Sequence, residues 1–140
     1  MKISLVVVGK TQSKELASVI NDYSKRISHY ASFEVVDVEE SKLEKMLSKY
    51  EKIFLLEKIG KPMTSIEFSG FIGNQMTYGA KSIAFVIGGP FGFTPEVKAL
   101  AGSTISLSRM TFPHDLVRVI FLEQLYRAFT ILKNEKYHHE

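Results

Sequence analysis

The feature that most constrains the fold is a fivefold alternation of short apolar segments with longer segments of helical periodicity. The apolar segments are four to six residues long and rich in β-branched residues, which is typical of strands buried in a parallel sheet. They are Ile3–Val8, Phe33–Val38, Lys52–Leu56, Ile83–Ile87 and Thr104–Leu107. Strands that alternate with helices favour βαβ units. We therefore predict a single α/β domain over residues 1–140, with a mostly parallel sheet of five to six strands and flanking helices.

The segments between the predicted strands carry signals for helices. Apolar residues at helical spacing predict an amphipathic helix over about Lys14–Tyr30. Ser41 with Glu44, and Thr64 with Glu67, have the spacing of capping boxes, in which each side chain satisfies a backbone amide of the other residue. Both pairs therefore predict the start of a helix.

The last predicted helix runs from Pro113 to about Lys133 and is apolar around most of its circumference. A helix of this kind is buried on more than one side. In a chain of 140 residues one side can face the sheet, and a second copy of the chain is the economical partner for the other side. The alternative is a helix sunk in the core of its own domain. Of the two, a homodimer is the expectation.

Composition narrows the class of protein. Hydrophobic residues make up 45% of the chain and charged residues 24%, as expected of a globular domain. No apolar run of about 18 residues and no signal-peptide pattern occurs, so we expect a cytoplasmic protein without a membrane partner. The absence of cysteine excludes disulfides, thiolate metal sites and cysteine nucleophiles. A net charge of +3 permits an RNA partner without requiring one.

Two loops follow the fourth and fifth predicted strands. They are the glycine-rich Gly88–Gly92 and the segment Ser108–Pro113. Glycine lets backbone approach a ligand closely, and α/β sheets bind ligands in loops at the carboxyl ends of strands. Either loop alone could be an ordinary strand-to-helix turn, and Glu57–Pro62 after the third strand is predicted as a polar loop. The joint placement of the two loops predicts one small-molecule pocket built mostly from backbone.

Other candidate groups also have ordinary structural explanations. Gly9-Lys10-Thr11 resembles the end of a P-loop, but Ser4 stands where that motif needs a glycine. His114 and Arg118 share one helix face beside the second loop. There Arg118 either pairs with Asp115 or contacts substrate or RNA phosphate.

The end of the chain, Tyr137-His138-His139-Glu140, contains residue types that bind metals. Adjacent residues on a terminal tail lack the spacing of a preformed site, so no metal is expected. Terminal tails are also usually without function. Just before the tail, Glu123 and Arg127 are four residues apart on the last helix and are predicted to form an ion pair.

Three blocks of the sequence together resemble one family. The blocks are IGGPFGF, SLSRMTFPHDLVRVIFLEQLYRAF and the terminal YHHE. On these blocks the chain resembles the RlmH family, bacterial methyltransferases of the SPOUT superfamily that methylate N3 of a pseudouridine in 23S ribosomal RNA of the assembled 70S ribosome. The resemblance covers essentially the whole chain, including the opening ISLVVVGK. It implies a deep trefoil knot in the C-terminal part of the fold, and a homodimer.

The resemblance also implies S-adenosylmethionine as the cofactor and RNA, not DNA, as the substrate. The cofactor-binding positions that it implies lie after three predicted strands. They are Leu56, Gly88, Gly89, Leu107, Ser108, Arg109, Met110, Thr111 and Phe112.

For the tail, the resemblance implies a place near the active site. His138 is then the best candidate to accept the N3 proton, because histidine titrates near neutral pH, and His114 is the second. Tyr137 would orient the base or stack on it. His139 stands where the family often carries arginine, which weakens the cation there. The candidate RNA contacts are Lys10, Arg118, Arg127 and His139.

Two other functions fit the same residues. A dimeric α/β module could hold a nucleotide or RNA without catalysis, and it would then bind RNA without consuming S-adenosylmethionine. An enzyme of the same architecture could instead methylate another RNA position or a tRNA. Mapping of the methylated product separates that enzyme from a pseudouridine methyltransferase.

Overall fold

Residues 1–139 are described by a computed structural model of the chain. The strands are β1 (Lys2–Val8), β2 (Ser32–Val38), β3 (Lys52–Pro62), β4 (Ser82–Ile87) and β5 (Ser103–Ser106). The helices are α1 (Lys14–Ile27), α2 (Leu43–Leu47), α3 (Ser65–Thr77), α4 (Pro95–Leu100) and α5 (His114–Leu132). The five strands pair in the order β2-β1-β4-β3-β5, all parallel. The predicted α/β fold with a parallel sheet is confirmed.

The sheet is buried on both faces because side chains alternate along each strand. On β1, Ile3 and Leu5 join the core under α1, α3 and α5, whereas Val6 joins the core under α2 and α4. On the first face α5 packs against both α1 and α3. It buries Phe121 and Phe129 there. The last helix therefore covers much of one side of the sheet within its own chain.

The helix starts test the two predicted capping boxes. The Thr64 amide donates to the Glu67 carboxylate at 2.8 Å and the Glu67 amide donates to Thr64 Oγ1 at 3.1 Å, so this box is confirmed. The box of Ser41 and Glu44 is wrong. Ser41 lies inside a short 3₁₀ turn, Glu40–Lys42, so α2 begins only at Leu43 and has no side-chain cap. The first helix also ends earlier than predicted, at Ile27.

The prediction of a polar loop over Glu57–Pro62 is wrong, since β3 continues to Pro62. Ile105 of β5 pairs with both Leu56 and Lys61, so residues 57–60 bulge out of the ladder between them. Gly60 crosses close to β5: a Cβ there would lie 2.8 Å from the backbone carbon of Ile105. Only glycine permits that approach. The bulge carries its side chains beyond the carboxyl edge of the sheet.

No helix within residues 1–139 has both the length and the hydropathy that crossing a lipid bilayer requires.

Candidate functional site

A cavity of about 500 Å³ opens at the carboxyl ends of β3, β4 and β5. This volume lies within the range of about 300–1,000 Å³ that is usual for small-molecule sites. Its wall comes from the β3 bulge, the two loops singled out in the sequence, α4 and the start of α5. The lining residues are Leu56, Glu57, Lys58, Ile59, Ile87, Gly88, Gly89, Pro90, Gly92, Phe93, Lys98, Leu107, Ser108, Met110, Thr111, Phe112, His114 and Val117. We call this space the cavity.

The loop after β4 is a tight turn. The Gly92 amide donates to the Gly89 carbonyl at 3.1 Å, and Gly92 has a φ of +74°. A Cβ at Gly88 would lie 2.9 Å from the ring of Phe93, which is buried beneath the loop. Side chains are therefore excluded from Gly88 by packing, and the cavity receives bare backbone at this point.

The loop after β5 forms the opposite wall. The Met110 amide donates to Ser108 Oγ at 3.0 Å, which fixes the turn locally. Lys58 on the β3 bulge donates from Nζ to Thr111 Oγ1 at 2.7 Å, so the bulge and this loop are joined. The wall is mostly apolar or backbone, and its charged side chains are Glu57, Lys58 and Lys98. Such a lining suits an uncharged ring system with a few charged substituents.

The cofactor positions implied by the resemblance converge here with one exception. Leu56, Gly88, Gly89, Leu107, Ser108, Met110, Thr111 and Phe112 all line the cavity. Arg109 is exposed and is not part of the wall. His114, the second candidate for proton acceptor, does line the cavity at the first residue of α5.

Sequence reasoning missed the lining residues of the β3 bulge and the two helices. They are Glu57, Lys58, Ile59, Lys98 and Val117, with Ile87 at the end of β4 and Phe93 just after the glycine-rich turn. Pro90 and Gly92 belong to the predicted loop Gly88–Gly92. The available signal was a third strand whose carboxyl end must lie at the same edge as the other two, since all strands are parallel. Because the sequence after Leu56 is polar, it was interpreted as a loop and the contribution of β3 to the cavity was not predicted.

Arg118 is buried, with 2% of its surface exposed. Its guanidinium donates to the Val8 carbonyl and to Thr11 Oγ1, both at 3.0 Å. Burial lowers the pKa of Arg118 from its ordinary value. In the described residues this guanidinium is buried and presents no surface to phosphate, so the predicted RNA contact through Arg118 has no support from its position. Arg118 instead holds the loop between β1 and α1.

The alternative prediction, an ion pair between Arg118 and Asp115, is also not what the structure contains. Asp115 accepts hydrogen bonds from the backbone amides of Gln12 at 3.0 Å and Ser13 at 2.8 Å. Asp115 and Arg118 thus both connect α5 to the β1–α1 loop, Asp115 through its carboxylate and Arg118 through its guanidinium. Lys10 on that loop is exposed and lies outside the cavity wall.

The end of the chain folds back on α5. Tyr137 donates from its hydroxyl to Glu123 Oε2 at 2.9 Å, and Arg127 Nη2 lies 2.6 Å from the same oxygen. Arg127 Nη1 lies 3.0 Å from Nδ1 of His138. The predicted pair of Glu123 and Arg127 is confirmed. We call Glu123, Arg127, Tyr137 and His138 the tail network.

Two donors of the tail network can be assigned from chemistry and burial. A guanidinium only donates, so in the contact between Arg127 and His138 the ring nitrogen Nδ1 is the acceptor. Burial, with hydrogen bonds to Tyr23 and Glu123, raises the pKa of Tyr137 and keeps its hydroxyl a donor. None of Arg127, Tyr137 or the exposed His139 belongs to the cavity wall, and neither does His138.

Within residues 1–139, no three His, Cys, Asp or Glu side chains are grouped so as to hold a metal ion. Glu140, the last member of the terminal block, lies outside the described residues.

The parallel sheet and the cavity define the class: an α/β protein with a cavity of small-molecule size at the carboxyl edge of its sheet. Solved structures share the fold. A probable methylase family protein from Haemophilus influenzae superposes with a TM-score of 0.59 at 10% identity, covering 99% of this chain and 70% of that one. A probable methyltransferase from Bordetella pertussis gives 0.60 at 12% identity, covering 90% and 93%.

Sequence comparison narrows the class to a family. The family described as "Predicted SPOUT methyltransferase" matches residues 1–138. Proteins named ribosomal RNA large subunit methyltransferase H match over nearly their full length. That of Christiangramia forsetii is 46% identical, with 99% of both chains covered, and that of Porphyromonas gingivalis is 43% identical, with 100% of both covered. That of Coprothermobacter proteolyticus is 45% identical, with 99% of both covered. The chain therefore belongs to the SPOUT methyltransferases, within the ribosomal RNA large subunit methyltransferase H family.

Proposed function

We propose that this protein is an S-adenosylmethionine-dependent methyltransferase that methylates N3 of a pseudouridine in 23S ribosomal RNA of the assembled 70S ribosome, in the cytoplasm. The observation that carries the proposal is the cavity itself. It is formed by the glycine-rich turn and the Ser108–Pro113 loop, which are the segments that carry the resemblance. Near full-length relatives named for methylation of large-subunit ribosomal RNA support the same reaction.

The residues of the cavity fit S-adenosylmethionine. Its wall is bare backbone at Gly88 because Phe93 packs beneath, and an adenine ring can lie against such a surface. The carboxylate of Glu57 and the ammonium groups of Lys58 and Lys98 supply both signs of charge for a ligand that carries a carboxylate, an amine and a sulfonium. When bound there, the cofactor would supply a methyl group that is already activated by its positive sulfur.

The chain's own residues must orient the target base and take its N3 proton. His138 is proposed as the acceptor by residue type, with His114 as the second candidate. The Nδ1 lone pair of His138 is engaged by Arg127, so a proton could reach that nitrogen only after Arg127 withdraws. Tyr137, held by Glu123, would orient or stack on the base. Lys10, Arg127 and His139 are proposed RNA contacts.

A homodimer would bring the tail network of one copy to the cavity of the other copy. Within residues 1–139 the cavity wall contains no residue after Val117, so the tail network does not line the cavity of its own chain. Leu116 and Leu132 on α5 are exposed apolar residues that a partner could cover. We propose that α5 forms the dimer interface and that a tail acts at the cavity of the second copy. We also propose that the crossing of Gly60 over β5 belongs to a deep trefoil knot.

The test is methyl transfer from labelled S-adenosylmethionine to intact 70S ribosomes, beside separated large subunits and free tRNA. Label in 23S RNA from 70S particles, mapped to N3 of one pseudouridine, is the expected result. Label in tRNA or at another RNA position would replace this function with a different methyltransferase activity. Binding of RNA and of the cofactor without any label would favour a non-catalytic module, and absence of cofactor binding would overturn the proposal.

A further inference from the structure

Two side chains of the cavity loops face away from the cavity. From Gly88 to Phe93 every residue lines the wall except Phe91, and from Leu107 to Phe112 every residue lines it except Arg109. Both exceptions are exposed. A cofactor held by these loops would therefore leave one aromatic ring and one guanidinium on the outer surface, available to a larger partner.

Phe91 is held out of the protein by its turn. The Gly92 amide donates to the Gly89 carbonyl, so Pro90 and Phe91 form the corner of the turn, and Pro90 restricts the backbone further. The Phe91 side chain is 99% exposed. Water solvates a phenyl ring poorly, so an aromatic residue fixed in this way beside a cavity marks an interaction site.

The cavity loops and the β3 bulge also carry exposed apolar residues and charges of both signs. The carboxylates of Glu40 and Glu57 lie beside the turn itself, at Gly89 and Gly92. Ile59 on the β3 bulge is 94% exposed and Met110 is 72% exposed. Lys58 and Lys98 line the cavity, whose one carboxylate among the described residues is Glu57, and Arg109 adds a third cation outside it. Within residues 1–139 Arg109 forms no ion pair. An exposed aromatic ring near an exposed cation is a common feature of surfaces that bind single-stranded RNA.

We propose that Phe91 stacks on an unpaired base next to the target nucleotide and that Arg109 contacts a backbone phosphate of the same strand. The assignment rests on the proposed function, because it takes the cavity as the site of methyl transfer. The exposed guanidinium of Arg109 and the net charge of +3 of the chain favour an anionic occupant over a second copy of the same chain. Phe91 is therefore a substrate-positioning residue outside the cofactor site.

The first experiment compares full-length variants for affinity to 70S ribosomes by co-sedimentation without cofactor, and for S-adenosylmethionine affinity by calorimetry. Phe91→Leu keeps apolar area and removes the aromatic face, so ribosome affinity should fall about tenfold, as expected for loss of one stacked base. Phe91→Trp should restore it. Cofactor affinity should stay unchanged in both. Tyr78→Ala, which removes an 83% exposed aromatic ring after α3, is the matched control.

The second experiment tests Arg109. Arg109→Ala should weaken ribosome binding and reduce the slope of log affinity against log salt by about 1, as for one lost phosphate contact. Lys49→Ala, an exposed cation near the start of β3, should leave the slope unchanged. A phosphate contact is contradicted if the two variants show equal slopes.

The outcomes separate this inference from the proposed function. Wild-type protein that binds 70S particles without methylating them would overturn the proposed reaction. The ribosome affinities of wild type and Phe91→Leu would still test the stacking assignment in that case. Equal affinity of wild type and Phe91→Leu would overturn the stacking assignment even if methylation is normal. A photo-crosslinking residue at position 91 should attach to 23S RNA, and attachment to a ribosomal protein or to a second copy would overturn it.

Discussion

The cavity and the tail network differ in the kind of atoms that build them. At the cavity, Gly88 presents backbone because the ring of Phe93 leaves no room for a Cβ. In the tail network the contacts are between side chains: a carboxylate, a guanidinium, a phenol and an imidazole. A backbone surface recognises shape and cannot change its protonation, whereas a network of titratable side chains can. If the proposed roles of the two regions hold, cofactor binding at the cavity and proton transfer at the tail network should be separable by mutation.

The largest expected effect tests that separation. His138→Ala should lower methyl transfer to 70S ribosomes by about 10²–10⁴-fold, the usual contribution of a general base, and should leave S-adenosylmethionine affinity unchanged. Labelled transfer and calorimetry measure the two quantities. His29→Ala, which removes an exposed histidine after α1, is the matched control. Loss of cofactor binding in His138→Ala would break the comparison, because the tail would then belong to the cofactor site.

The next effect tests the backbone side of the comparison. Gly60→Ala places a Cβ 2.8 and 2.9 Å from backbone carbons of Ile105 and Thr104, so β3 and β5 must separate. We expect the free energy of unfolding to fall by about 3 kcal/mol, with weaker cofactor binding. Urea unfolding and calorimetry measure both. Gly70→Ala in α3 meets nothing within 4 Å and should stabilise the protein slightly. Equal stability of the two variants would contradict the crossing.

A smaller effect concerns the fastening of α5. Arg118→Ala removes the donors that satisfy the Val8 carbonyl and Thr11 Oγ1, so stability should fall by about 2 kcal/mol. The salt dependence of ribosome binding should not change, because the guanidinium is buried. Lys25→Ala, which removes an exposed side chain of α1, is the control for stability. A reduced salt slope in Arg118→Ala would restore this residue as an RNA contact.

The smallest effect is a pH dependence at the base of the tail. The Tyr30 hydroxyl donates to the Glu135 carboxylate at 2.9 Å, and burial together with this bond raises the pKa of Tyr30 to about 12. A raised tyrosine pKa favours the neutral form in the folded state. Its contribution is complete below about pH 10 and is lost as the pH rises through 12. Tyr30→Phe should therefore show a shallower alkaline loss of stability in thermal unfolding, and an unchanged curve would show that the bond does not hold the tail.

The elements of the fold followed from local sequence, and the long-range pairings did not. Apolar runs located all five strands, and Thr64 with Glu67 located a helix start. The extension of β3 was missed because Glu57–Pro62 is polar, and its pairing depends on β5, more than 40 residues later. Ser41 failed as a cap because a 3₁₀ turn already occupies that position. Strand order depends on crossovers that local patterns do not encode.

In the candidate site, too, some features could be predicted from local sequence and others depend on residues far apart in the chain. The two loops were predictable because glycine content and position after a strand are local properties. The burial of Arg118 was not, since its acceptor Val8 lies 110 residues away. Likewise, the exposure of Phe91 and Arg109 depends on which way each turn faces, and a list of loop residues cannot distinguish inward from outward side chains.

The packing of α5 against α1 also has a consequence for synthesis. The first helix leaves the ribosome about a hundred residues before the helix that covers its apolar face, which at about 5–20 residues per second is an interval of roughly 5–20 s. During that time Ile20 and Ile27 have no partner from α5, although both are buried in the finished protein. The apolar face of α1 therefore stays exposed until α5 emerges, and a truncation that removes α5 would leave that face uncovered.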